Sequence, residues 1–181
     1  MSAPTIVVQN AVLDDLLATW RDALGRDAEA YRGHAYRVLN FTRALADRSD
    51  ADDTIAVAAI FHDLGIWSDG TFDYLEPSAR RARDHLAAHD TPADADEVAR
   101  MILLHHKITR CPADAGPLAE AFRRADLADV SLGVIRSGLP RSFVREVREA
   151  FPNAGFHRCL LRVGAGWIAR HPTRPLPMMR W

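Results

Sequence analysis

A histidine and an aspartate stand side by side at His62-Asp63, directly after the small and apolar run Ala58-Ala59-Ile60-Phe61, which reads as a buried helix. Burying a carboxylate costs several kcal/mol unless it is paired or bound to metal, so the dipeptide is a salt bridge, a cap, or a pair of metal ligands. Similar groups recur at apolar helical positions along the chain. His34 lies on a stripe with Tyr31, Val38, Phe41 and Leu45, and Asp126 lies between Ala125 and Leu127. His105-His106 follows Val98, Met101 and Ile102, and His85 sits on an arginine-rich helix. Imidazole and carboxylate donors without a thiolate among them suit iron, manganese, cobalt, nickel or zinc in a catalytic site, whereas a structural zinc more often recruits cysteine. Cys111 and Cys159 have no metal-like spacing. Continuing the apolar face favours His105 over His106 as a ligand, which leaves His106 and Lys107 to face a substrate, although either histidine fits the pattern. For His85 the competing reading is a surface histidine; His89, His157 and His171 are read as lying outside the constellation.

Helices must carry these groups. Apolar spacing predicts helices over about 7–24, 28–47, 54–62, 78–89, 94–107, 118–135, 140–151 and 155–170, with Gly25 and Gly65 as stops. Thr91-Pro92-Ala93-Asp94 reads as a helix start with a cap, a first-turn proline and an acid. The segment 66–77 reads as a loop that packs Trp67, Phe72 and Tyr74 and could roof the site, and 172–181 as an extended proline-rich tail. No hairpin dipeptide joins alternating β-branched runs, so the fold is expected to be all-α, one single-domain helical bundle without repeats or linkers.

The 181 residues suffice for one substantial core, and 48% hydrophobic content fits a globular chain. A net charge of −1 with no basic stripe argues against a nucleic-acid polymer as partner and for a small-molecule substrate. Apolar runs such as 54–61 are far shorter than the roughly 20 residues of a membrane span. Met1-Ser2-Ala3-Pro4 lacks the features of a secretory signal, so a cytoplasmic location is expected. Lys107 is the single lysine among 23 basic residues, which suggests a position that needs a compact ammonium rather than a planar fork.

A histidine, an adjacent His-Asp pair and a distant aspartate, all on helices, resemble the HD-domain superfamily of metal-dependent phosphohydrolases over about 31–130. The resemblance implies that His34, His62, Asp63 and Asp126 are the signature metal ligands. It further implies that His85 and His105 stand where dinuclear members insert two extra histidines, with Asp63 bridging one or two divalent ions. The implied activity is hydrolysis of a small phosphate ester or nucleotide by a metal-activated water, with Lys107 offsetting phosphoryl charge. The cyclic-di-nucleotide phosphodiesterase branch is disfavoured: Ile66 and Lys107 replace its lysine and glutamate, and its Gly-Tyr-Pro motif is missing. The di-iron oxygenase branch is the runner-up; its upstream Tyr and Glu are met only by Asp27, Glu29 and Tyr31 in different spacing. A non-catalytic metal-binding regulatory module is the third reading.

Overall fold

The computed structural model describes residues 4–89, 91 and 93–179. Among these the chain is all-α: α1 (Ala11–Thr19), α2 (Arg21–Leu24), α3 (Ala28–Ala46), α4 (Asp52–Phe61), α5 (Gly65–Ser68), α6 (Leu75–Ala88), α7 (Ala95–Leu104), α8 (Pro117–Val130), α9 (Arg141–Ala150) and α10 (Phe156–Arg170). No helix of the described residues is long and apolar enough to cross a membrane. The centre is α3 laid against α8, with α4 on α3 and α7 closing against α4, α6 and α8. Beyond the two aspartates of its first turn, helix α4 is apolar on all sides, and every residue from Thr54 to Phe61 is buried, so it is the helix that other helices surround.

Local chemistry moves several boundaries from their expected places. The first predicted helix is split: Asn10 accepts from the Leu13 amide and starts α1, the chain breaks at Trp20, and Gly25 ends α2 at φ +53°. Val7 lies outside that helix because its backbone is paired on both sides with the Asn40 amide (2.8 and 3.0 Å). The start expected at Thr91 falls at Asp94, whose carboxylate accepts from the amides of Asp96 (2.8 Å) and Glu97 (2.9 Å); Pro92 lies outside the described residues. Helix α8 ends at Val130, short of the expected 135, and the predicted loop 66–77 is shorter because α6 already begins at Leu75. The tail is not extended. It folds into turns, with Arg174 and Met179 amides bonded to His171 and Leu176 carbonyls, and Met178 buries against Ile66, Phe72, Tyr74 and Leu75.

Gly65 is not a left-handed stop. It opens α5, and its missing side chain permits a close approach: a Cβ would lie 2.8 Å from Tyr74 Cβ and 3.0 Å from Ser78 Oγ, the hydroxyl that accepts from the Gly65 amide. Gly65→Ala is therefore expected to destabilise the protein by about 1–3 kcal/mol through overpacking. Thermal denaturation of chelator-treated protein should show a midpoint several degrees lower; an unchanged midpoint would mean that the α5–α6 contact is slack.

Candidate metal centre

The helices bring five candidate ligands to one buried place. His34 comes from the middle of α3 and Asp126 from α8, while His62 and His105 each stand one residue beyond a helix, α4 and α7 respectively, and Asp63 occupies the turn after α4. That position past a C-terminus matters because the last helical carbonyls have no intrahelical partner. His62 Nδ1 donates to Ala59 O (2.9 Å) and His105 Nδ1 to Ile102 O (2.7 Å), while Tyr31 Oη donates to Ile60 O (2.7 Å). His34 Nδ1 donates to the Asp129 carboxylate at 2.7 Å. A carbonyl or carboxylate can only accept, so all three rings donate through Nδ1, and the neutral imidazole in that tautomer leaves Nε2 with a lone pair to offer.

Those lone pairs converge. His34 Nε2 and His62 Nε2 are 2.9 Å apart, and Asp63 Oδ2 lies 3.8 and 3.4 Å from them. Asp126 Oδ1 lies 3.6 and 3.9 Å from the same two nitrogens. An ion at about 2.0–2.2 Å from each N or O ligand sets neighbouring donors about 3–3.5 Å apart, and the donors of this group stand close to that spacing, between 2.9 and 3.9 Å. The second carboxylate oxygen, Asp63 Oδ1, faces the other way, 3.4 Å from His105 Nε2. Asp63 therefore belongs to two donor groups, one with His34 and His62 and one with His105 and His106. Asp63 Oδ1, His105 Nε2 and Asp126 Oδ1 are buried without a hydrogen-bond partner. Several acceptors left open around one point call for a cation, and the residues fit a divalent metal ion.

Aromatic rings wall the donors. Phe156 stacks on His34 (centroids 4.1 Å, 14°), Phe122 meets His62 edge-on, and Tyr31 lies parallel to His62 at 6.4 Å. Burial raises the Asp63 carboxyl, but His62 and His105 more than offset it and hold it well below the usual range. Burial wins at Asp126, which is pushed up despite His105, His34 and His62. Asp129 is desolvated too, yet hydrogen bonds from His34 and Arg37 hold it far below the ordinary carboxylate value.

His85 is not brought into the site. Its ring packs on Phe61 (5.6 Å) and stacks on His89 (4.3 Å), and among the described residues it joins neither donor group. Consecutive helical residues point about 100° apart, so a histidine packed against Phe61 sits round the helix from His62. The place expected for His85 is taken by His106, whose Nε2 is 2.7 Å from the Tyr74 hydroxyl. Burial, followed by the charge of His105, pushes His106 well below the usual imidazole value and keeps it neutral. His105 thus offers an open nitrogen, while His106 has one engaged by tyrosine. Lys107 is half-buried in the turn after α7; its carbonyl accepts from Arg123 and its charge is felt by the Cys111 thiol. His89 is exposed, His157 is bonded to Asn153 and Val130 O, and His171 stacks on Trp167, all apart from the centre.

Three contributors escaped the sequence reading. Asp129 lies one turn beyond Asp126, and Arg37 lies one turn beyond His34. Arg37 is wholly buried, bonds both Asp129 oxygens (2.5 and 2.9 Å), and donates to Phe151 O and Pro152 O (3.0 Å each). The i, i+3 spacing from each ligand was the available signal. Tyr74 was read as a loop anchor, and its hydroxyl sits against His106.

A family model for the HD domain matches residues 31–130, more than half of the chain, and the chain belongs to the HD-domain family. No curated protein and no solved structure shows a significant match.

His85→Ala should leave metal stoichiometry and affinity as in the unaltered protein, whereas His62→Ala should abolish tight binding; equal losses in a metal titration would return His85 to the ligand set. Asp129→Asn removes the negative charge and one of the two acceptor oxygens shared by His34 and Arg37, which loosens the hold on the His34 ring, and metal affinity should fall about 10–100-fold. Calorimetric titration with manganese checks it, and an unchanged affinity would show that Asp129 serves only to neutralise Arg37.

Proposed function

We propose that this HD-domain protein is a metal-dependent phosphohydrolase acting on a small phosphate ester or nucleotide. The observation that carries the reading is the convergence of the His34, His62 and His105 Nε2 lone pairs on two carboxylates that keep open, buried oxygens. His34, His62, Asp63 and Asp126 would hold a first divalent ion, and Asp63 with His105 a second, drawn from iron, manganese, cobalt, nickel or zinc. When bound, the ion supplies Lewis-acid polarisation of a phosphoryl oxygen and brings the pKa of a coordinated water toward neutrality.

The chain's own residues do the rest. Asp63 uses both carboxylate oxygens, so it fixes the separation of the two donor groups. Asp129 and the Ala59 and Ile102 carbonyls lock the three imidazoles in the tautomer that binds metal. His106 stays neutral beside the Tyr74 hydroxyl, a pair able to hand a proton to or from a substrate oxygen. Lys107, in the next position, offsets negative charge gathering on the phosphoryl oxygens.

The test begins with metal analysis of protein purified without chelator, followed by a panel of phosphate esters. Divalent metal at one or two equivalents and turnover of at least one ester are expected. Asp63→Ala should lose metal and at least about 10³-fold in rate, equivalent to about 4 kcal/mol of barrier. Lys107→Met should lower turnover with metal content intact. Two irons with oxygen consumption and no ester turnover would replace this reading with the di-iron oxygenase, and absence of bound metal would replace it with a regulatory module.

A further inference from the structure

A second site lies outside the metal centre. Helix α9 and the loop 131–140 border an open groove of about 610 Å³ whose lining carries Arg136, Arg141, Arg145 and Arg148 with a single acid, Glu149. Its apolar part is the buried Val144 at the bottom, with Leu132 and Val134, 51% and 81% exposed, at the edge. None of the candidate metal ligands lines it. Arg141, Arg145 and Arg148 repeat at i, i+4 and i+7 on α9, while Phe143 and Val147 hold the helix to the core. Like charges at such spacing repel one another, and the core contact does not require them. Glu149 relieves only Arg145, at 3.7 Å.

The opposite wall is fixed. Leu132 and Ser137 take left-handed backbone at φ +58° and +54°, and Gly133 is held so close that a Cβ would meet Val144 Cγ1 at 2.9 Å. The Ser137 carbonyl accepts from Arg124, and the Gly133 amide donates to Ala128 O at 2.8 Å. Left-handed non-glycine residues cost of order 1 kcal/mol each and persist where surrounding structure over-determines them. A groove of this volume, with its surface shared between apolar side chains and guanidinium groups, is of the size that takes small molecules. Guanidinium forks match phosphate oxygens two at a time.

The geometry points to this groove as a binding site for a small molecule that carries a phosphate group on an apolar body, and to Arg148 as its link with the metal centre. Arg148 Nη1 is buried, lacks a hydrogen-bond partner, and lies 3.6 Å from Asp129 Oδ1. The same carboxylate takes the Nδ1 proton of His34. A phosphate that engages Arg148 competes with Asp129 for it, and so changes the hold of Asp129 on His34. The site stands whether or not the metal centre hydrolyses esters, because its residues and its test are separate from turnover.

The experiment is calorimetry on the full chain with phenyl phosphate and inorganic phosphate, with and without chelator, using the unaltered protein and Arg141→Ala/Arg145→Ala. Both arginines are exposed, so the fold should be kept, and circular dichroism verifies this. Phenyl phosphate should bind once per chain in the presence of chelator, about tenfold more tightly than inorganic phosphate because the ring meets the apolar part of the groove. The double variant should lose at least about tenfold of that affinity. Saturating phenyl phosphate should shift manganese affinity several-fold in the unaltered protein and not in the double variant, since coupling between two sites is reciprocal. Binding that vanishes with chelator but survives the double substitution would assign the phosphate to the metal centre and overturn the proposal. Retention on phosphatidic acid vesicles without binding of phenyl phosphate would make the arginines a membrane-surface patch, and binding of neither would also sink the site. A manganese affinity indifferent to phenyl phosphate would remove the link through Arg148.

Discussion

The structure turns on two imidazole nitrogens, His34 Nε2 and His62 Nε2, held 2.9 Å apart in a fully buried site with their protons committed elsewhere. Two lone pairs approach so closely in a low-dielectric interior only with a shared proton or a cation between them. A single proton could join the two nitrogens, but Asp63 Oδ2 and the unpartnered Asp126 Oδ1 face the same point, a donor set that suits a cation with more than one coordination position. The fold must therefore hold several polar groups together at one buried point.

It does so through hydrogen bonds on the sides of the rings that face away from that point. Two helix ends supply carbonyls that would otherwise be unpaired, and α8 supplies Asp129. Arg37 then neutralises Asp129 and ties it to the Phe151 and Pro152 carbonyls, so α3, α8 and the strap before α10 share one buried ionic network. Gly33, beside His34, makes room for that strap: a Cβ there would lie 2.7 Å from Pro152 O and 3.0 Å from Arg37 Nη1. A buried ion pair is a poor source of stability by itself. Its value here is orientation, because it fixes which nitrogen of His34 faces the ion.

Residues outside the family match complete the surroundings. Phe156 lies flat on His34, Trp167 stacks on Phe72, and Met178 packs with Tyr74, the residue that holds His106. The C-terminal helix and tail thus brace the loop 69–74 and the tyrosine it delivers, and Arg174 adds an ion pair to Asp73 at 3.1 Å. The candidate ligands come from the 31–130 core, whereas Phe156 covers His34 from outside it and Trp167 and Met178 support the segment that carries Tyr74.

By itself the sequence determined the helical class, the donor chemistry and four residues that the fold gathers: His34, His62, Asp63 and Asp126. These were legible because helical periodicity is local and because a charge on an apolar stripe contradicts its surroundings unless something compensates it. Gly65 shows the limit of local reading, since a glycine after a helix signals a left-handed cap as readily as the close approach of α6 that it serves. Only the tertiary structure decided between His85, His105 and His106. The three share a residue type and a helical setting, and which of them meets Asp63 depends on how α6 and α7 are rotated against α4. The same holds for Arg37 and Asp129, which look like ordinary surface charges until α3 and α8 pack face to face and leave each as the other's partner.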